Sequence, residues 1–261
     1  MSTEAGQILA AHLKRALGEL RAGLEEIWGA EGRASGTVRV GLVPAGGAVL
    51  VPRALRLLRR RHPEAVVTVR TGVEPDLLAL LRAGDLDLVV GTLNGEAETR
   101  GETVITRLTK DHVEVVARAG HPLARGQNLS LAEILSLEWI LPPRGSALRT
   151  WFSRVLESEG LPEPKPIIET ASLSVLRGAL LEGDCVALST RLECWHEIVE
   201  QNLFDALTIP ALAWPSVERP FYLHVARRQD ARPSPAATAF FALLADAAVK
   251  GGYDAAPGQN W

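Results

Sequence analysis

Five short stretches of this chain carry residue types that hold a small molecule without reacting with it. They are Pro44-Ala45-Gly46-Gly47, Val73-Glu74, Thr92 with Asn94, Arg144-Gly145-Ser146-Ala147, and Ala171-Ser172. Each stands where a strand-like run ends, and most open a helical pattern. A helix start leaves backbone N–H groups without partners, and with the helix dipole these favour an anionic group. Gly46 and Gly47 let a ligand approach the backbone closely. Ser146 can cap a helix while its neighbouring N–H groups hold a carboxylate. Arg144 or Arg149 can pair with an acid bidentately. Taken singly, each residue also reads as something plainer: a tight turn at 44–47, a cap at Ser146 or Ser172, a solvated arginine at 144 or 149. Glu74, if turned inward, opposes an anion and favours a hydroxylated or cationic ligand.

No catalytic set accompanies these stretches. Ser146 sits in RGSAL, which is not a nucleophile elbow. His112, His121 and His196 have no companions at useful spacing, and His121 in HPLA reads as a turn residue. The AGG at 45–47 lacks the spacing of a phosphate loop or dinucleotide fingerprint. The six histidines show no metal-ligand spacing, and no cofactor is implied. Cys185 and Cys194 make no disulfide framework; Cys185, within CVAL, reads as a small buried side chain.

The elements that position the five stretches follow from hydrophobic period. Val38, Val40 and Leu42 alternate as a strand. Val49, Leu50, Ala54, Leu55, Leu57 and Leu58 recur at helical spacing, with Arg53, Arg56, Arg59 and Arg60 between them, until His62-Pro63 stops the helix. AVVTVR is a second strand. PDLLALLRAG is a second helix, with Pro75 in its first turn and Gly84 at its end, and DLDLVVG is a third strand. Strands alternating with helices predict a parallel sheet, which binds ligands beyond its carboxyl edge. VITRL and an extended run from Lys110 follow. LSLAEILSLEW is a short helix with Ser130 and Glu133 as a capping box. From Leu131 to Leu188 a second βαβαβ-like pattern appears, with helices opening near Ser146 and Ser172. RPFYLHVARR is the last strand and SPAATAFFALLADAAV the closing helix. Two such units suggest a cleft between similar subdomains, with crossings near His112 and Arg219.

Ahead of the first unit, residues 2–32 read as one long helix. Leu9, Leu13, Leu17, Leu20, Leu24 and Ile27 recur at three- and four-residue steps, a narrow coiled-coil-like seam. EGRASG separates it from the sheet as a linker does, which favours a partner helix over packing on its own domain. The net charge of −3 lacks the basic excess of a nucleic-acid binder. No apolar run is long enough to span a membrane, and the amino-terminus lacks a secretory layout, so a cytoplasmic location is expected.

In the order TEAGQILAAHLKRALGELRAGL, GTVRVGLVP, LVPRALRLLRRRHPEAVVTVRTG, LLRAGDLDLVVG, HPLARGQNLSLAEILSLEWILPP, IIETASLSVLRGALLEGDCVALST and RPFYLHVARR, the chain resembles a LysR-type transcriptional regulator. The tandem of HPEAVVTV, GDLDLVVG and HPLA is specific in its order and spacing. WILPPRGSALR and ETASLSVLRGALL resemble the branch that includes regulators of aromatic-acid and sugar catabolism. The resemblance implies an α/β fold of two Rossmann-like subdomains, type II periplasmic-binding-protein-like, after a long linker helix. It implies a linker and dimerisation helix at 1–35, subdomain I at 36–110 and 212–250, subdomain II at 111–211 and a mobile tail at 251–261. A small effector, carboxylate, aromatic-acid or sugar-derived, is expected in the cleft. Homodimers or homotetramers are expected through the linker helix. In the family the 44–47 position often carries a hydroxyl that contacts the effector; Ala45 and Gly46 supply none, which leaves backbone contact. The family's winged helix-turn-helix domain does not precede Thr3, so a truncated regulator is expected, reaching promoter DNA only through the missing domain. The competing class is a solute-binding protein of a transport system, against which the seam and the missing leader argue. An enzyme on the same fold would need a catalytic set, and none is visible.

Overall fold

Strand β1 (Gly36–Leu42) buries Val38, Val40 and Leu42, the residues whose period of two predicts it. Helix α2 (Leu50–Arg61) turns Leu50, Val51, Ala54 and Leu58 inward and leaves Arg53, Arg56, Arg59, Arg60 and Arg61 exposed. Its last-turn arginines complement the dipole. His62 ends it, donating its N–H to the Leu58 carbonyl at 2.7 Å. Strand β2 (Ala65–Thr71) and helix α3 (Glu74–Ala83) follow. Gly84 stops α3 in the left-handed conformation at φ 81°. The Gly84 and Asp85 N–H groups then satisfy the carbonyls of Leu81 and Leu80. Strand β3 (Leu88–Gly91) completes the set. Asp87, at its entrance, is held by Arg39 of β1 through Nη2–Oδ1 at 2.7 Å and Nε–Oδ2 at 3.2 Å.

The structure, a computed structural model, describes residues 3–29, 36–44, 47–93, 102–122, 131–200, 203–206 and 221–250. By contact the chain forms two units, one of Met1–Thr109 with Leu223–Trp261 and one of Lys110–Tyr222. The sequence places the return to the first unit at 211/212, which lies outside the described residues. The division found falls at Tyr222–Leu223, where β10 (Phe221–Arg228) enters the first sheet opposite β3, pairing His224 with Gly91. Helix α1 (Glu4–Gly29) groups with the first unit by contact and runs against α3 and α7 (Pro235–Lys250). The 251–261 tail and the Ser130 cap lie outside the described residues.

The first sheet has the order β2-β1-β3-β10-β4, with β1 parallel to both β2 and β3. Its fifth strand, β4, runs Thr103–Asp111, and β5 runs Val113–Arg118. The break between them therefore falls at His112, later than the break before Lys110 that the sequence suggests, because the Asp111 side chain accepts from the His112 N–H and ends the extended run.

The second sheet has the order β7-β6-β8-β5-β9. Strand β6 (Trp139–Leu141) is parallel to β7 (Pro166–Glu169) and to β8 (Val186–Thr190); β5 is antiparallel to β8 and to β9 (Phe204–Ala206). Helices α4 (Leu131–Leu135), α5 (Ala147–Ser158) and α6 (Leu173–Glu182) complete the unit. Trp139 and Phe152 anchor the core under α5, with ring centroids 5.3 Å apart. The indole N–H of Trp139 donates to the Ile134 carbonyl at 2.9 Å, so the buried ring leaves no unsatisfied donor. A separate cluster of Ile140, Leu176, Leu180, Cys185, Ala187, Cys194 and Phe204 lies under α6.

Candidate functional site

In the first unit, β1, β2 and β3 run the same way, so their carboxyl ends share one edge. The Val43 N–H donates to the Val90 carbonyl at 2.9 Å and the Gly72 N–H to the Leu42 carbonyl at 3.2 Å, which ties the three exits together. Pro44 and Gly47 form the turn into α2, closed by Gly47 N–H to Pro44 carbonyl at 3.0 Å. Ala45, Gly46 and Asn94 lie outside the described residues. Val49 occupies the N-cap of α2 and supplies no side-chain cap, and no acid stands in the first turn. The start of α3 differs. Val73 is its N-cap, but Glu74 and Asp76 occupy the first turn and complement the dipole with the chain's own charge. Glu74 is buried there rather than exposed to solvent. Thr92, just past β3 on the same edge, is 5 % exposed, and its hydroxyl has no hydrogen-bond partner among the described residues.

In the second unit, β6, β7 and β8 share an edge in the same way. The loop after β6 turns at Pro143-Arg144-Gly145-Ser146, closed by Ser146 N–H to Pro143 carbonyl at 3.1 Å. Gly145 takes φ 83°, the left-handed position such a turn requires. Ser146 caps α5, accepting from Arg149 N–H at 3.3 Å, and Ala147 is the first helical residue. Ser172 caps α6, accepting from Val175 N–H at 3.4 Å, and its own N–H donates to the Thr170 hydroxyl at 2.9 Å. Ala171 and Ser172 are exposed on this edge. Arg144 is largely exposed, 3.7 Å from Glu163. Arg149 is not the solvated arginine its type suggests. It is 2 % exposed, pairs with Glu163 through Nε, donates from Nη1 to the Pro142 carbonyl at 3.0 Å and lies 3.7 Å from Glu169. It braces the loop with the chain's own carboxylates.

A second polar constellation, absent from the sequence reading, surrounds the start of β5. Asp111, Ser189, Thr190, Arg191, Glu193 and Glu197 are all buried. Asp111 Oδ1 accepts from the N–H groups of His112 at 2.8 Å and Leu192 at 3.1 Å. Burial pushes the Asp111 carboxyl up to about 7, and the facing Glu193 adds to this; the Thr190 hydroxyl and the two N–H groups oppose it without prevailing. Burial likewise raises Glu193, raises Glu114 against the pull of Arg191, and drives the Cys194 thiol well above its usual range. The signal in the sequence was TRLECWHEIV, where charged residues alternate with apolar ones directly after an apolar strand. His121 stands in a turn, as its HPLA context suggests, but it is also buried, with Nε2 3.0 Å from the Asp184 carbonyl. Among the described residues no three His, Cys, Asp or Glu side chains gather as a metal set, and no helix is long and apolar enough to cross a membrane.

Residues 31–249 match the sequence model of the LysR substrate binding domain. The chain is 34% identical over 234 residues to the HTH-type transcriptional regulator GalR of Pseudomonas putida, an alignment covering 89% of this chain and 56% of that protein. The chain spans just over half the length of the curated relatives it first matches. Among solved structures it is similar to the effector binding domain of QuiR in complex with shikimate, with a TM-score of 0.66 at 17% identity, over 83% of this chain and 98% of that one. It is also similar to the regulatory domain of CcmR of Synechocystis PCC6803 in complex with 2-PG, with a TM-score of 0.68 at 16% identity, over 81% of this chain and 97% of that one.

Proposed function

Because this chain belongs to the LysR substrate binding domain family and has its type II periplasmic-binding-protein-like fold, we propose that it is the effector-sensing and self-associating part of a cytoplasmic DNA-binding transcriptional regulator. It holds a small carboxylate-bearing effector and performs no chemistry on it. The observation that carries this reading is the start of α2. It lacks a side-chain cap and a first-turn acid, and the buried, unpartnered Thr92 hydroxyl stands on the same sheet edge. An anion there meets backbone N–H groups and the positive end of a dipole, while Thr92 supplies a donor. The α3 start already has Glu74 and Asp76, so a second negative group is disfavoured beside it.

The ligands named for the two structural relatives, shikimate and 2-PG, guide the choice of probes. Titration calorimetry of the chain against shikimate and a panel of small carboxylic acids tests the reading. Thr92→Val keeps the shape and removes the hydroxyl, so the acid that binds should lose tenfold or more in affinity while the fold is retained. Unchanged affinity in that variant, or binding by none of the acids, overturns the assignment.

Self-association rests on α1. Leu9, Leu13, Leu17, Leu20, Leu24 and Ile27 are each at least half exposed, a stripe longer than isolated surface apolar residues require. A second α1 covers such a stripe as a coiled-coil seam. Dimers built this way, singly or paired into tetramers, carry the DNA-reading domains of the whole regulator.

A further inference from the structure

The chain enters its second unit at Lys110, and the next residue, Asp111, is 2 % exposed. Asp111 Oδ1 accepts from Leu192 N–H, 81 positions further along. The His112 carbonyl completes the tie by accepting from Arg191 N–H at 2.8 Å. Arg191 also donates from Nε to Glu114 of β5 at 3.1 Å. The first residues of the second unit are thus bolted to the turn after β8, with Asp111 at the centre of the bolt.

The charges around that centre do not balance. From the turn after β8, Glu193 and Cys194 face it, while Arg191 of that turn is paired with Glu114 of β5; Lys110 and His112 flank it on its own segment. Glu197, in the short π-helical turn His196–Glu200, is paired with Arg177 of α6 at 3.4 Å. Among the described residues the carboxyl groups of this cluster outnumber its guanidinium groups. A buried set with such an excess stores a proton rather than a full complement of charge.

We propose that Asp111 is a proton-operated latch: neutral, its carboxyl group holds the entry of the second unit against residues 190–192, and ionised, it leaves for water and lets that segment go. Oδ2 makes no hydrogen bond of good geometry among the described residues, and the Thr190 hydroxyl beside the carboxyl offsets its burial only in part, so the ionised form is undercompensated. The proton released passes to solvent. The sign follows from burial, which lifts the closed group from 3.8 to about 7, while the open group titrates as an ordinary aspartate. The proton therefore favours the closed latch. The opening equilibrium rises up to about tenfold per pH unit between roughly pH 4 and 7 and levels off above.

Amide hydrogen exchange on the whole chain at pH 5 and pH 8, corrected for intrinsic base catalysis, reads the latch at His112 and Leu192. The opening equilibrium at both amides should be at least tenfold larger at pH 8. The Ala187 amide of β8, away from the bolt, is the control. In Asp111→Asn, which cannot ionise, the ratio between the two pH values should fall to about one. Should that variant not fold, Glu193→Gln removes a facing charge and should shrink the ratio severalfold. Equal protection at both pH values, an Asn variant that keeps the wild-type ratio, a Gln variant that leaves it unchanged, or an equal rise at Ala187 overturns the proposal.

Discussion

A Cβ added to Gly91 would collide with the Cβ of Val43 and stand 3.2 Å from its Cα. The two residues are exits of neighbouring strands on the edge that carries the candidate site. Gly91 also holds φ at 155°. Gly91→Ala should therefore cost about 2–3 kcal/mol, since neither the backbone nor the neighbour can yield cheaply. Gly145→Ala isolates the conformational part of such a cost: its φ is 83°, but among the described residues nothing lies within 4 Å of the added carbon. It should cost about 1–2 kcal/mol. Urea denaturation of both variants gives the comparison, and equal losses would show that the Val43 contact contributes nothing.

Arg149 is buried against Glu163 and the Pro142 carbonyl. Arg149→Met keeps much of the volume but leaves a mostly buried carboxylate without its partner. Breaking such a pair from one side should cost about 3 kcal/mol. Adding Glu163→Gln should recover part of it, because the orphaned charge is gone. The double-mutant cycle, measured by chemical denaturation, should show this non-additivity; strictly additive losses would mean the pair is not coupled.

The exposed stripe on α1 makes a simple demand on mass. Replacing Leu13 and Leu20 together by glutamate puts like charges into a two-stranded seam and should shift the sedimenting species toward monomer. An unchanged mass would remove α1 from the interface.

Asp111 should also mark the pH dependence of global stability. The folded chain keeps a proton on this carboxyl up to about pH 7, whereas the unfolded chain gives it up near pH 4. The wild type therefore loses stability across that interval, and Asp111→Asn does not. Between pH 4 and pH 8 the difference should move in favour of the variant by about 2–4 kcal/mol. Denaturant midpoints at four pH values follow it, and parallel curves would mean that Asp111 titrates normally.

Local signals carried the sequence reading far. The caps at Ser146 and Ser172, the stop at Gly84 and the break at His62-Pro63 depend on residues within four positions of one another, and all appear where the pattern places them. The burial of Arg149 was not legible. Its partner Glu163 lies 14 residues away, and a helix pattern says nothing about which acid will close over an arginine. The bond between Asp111 and Leu192 is further out of reach, since each residue looks ordinary in its own segment. The place of β10 between β3 and β4 likewise depends on pairing distant segments, which periodicity does not encode.

That last arrangement bears on how the chain is born. β3 pairs with β10, and α2 packs against α7, so the first sheet waits for strands and a helix made after the whole of the second unit. The second unit, by contrast, is one uninterrupted segment. At ordinary translation speeds the earlier strands spend on the order of ten seconds with an open edge. Over that interval an unpaired β3 is the chain's most exposed invitation to mispairing. The unit that begins second on the ribosome is thus the one whose strands are all made first, and the unit that begins first closes only when its last strand and helix have emerged.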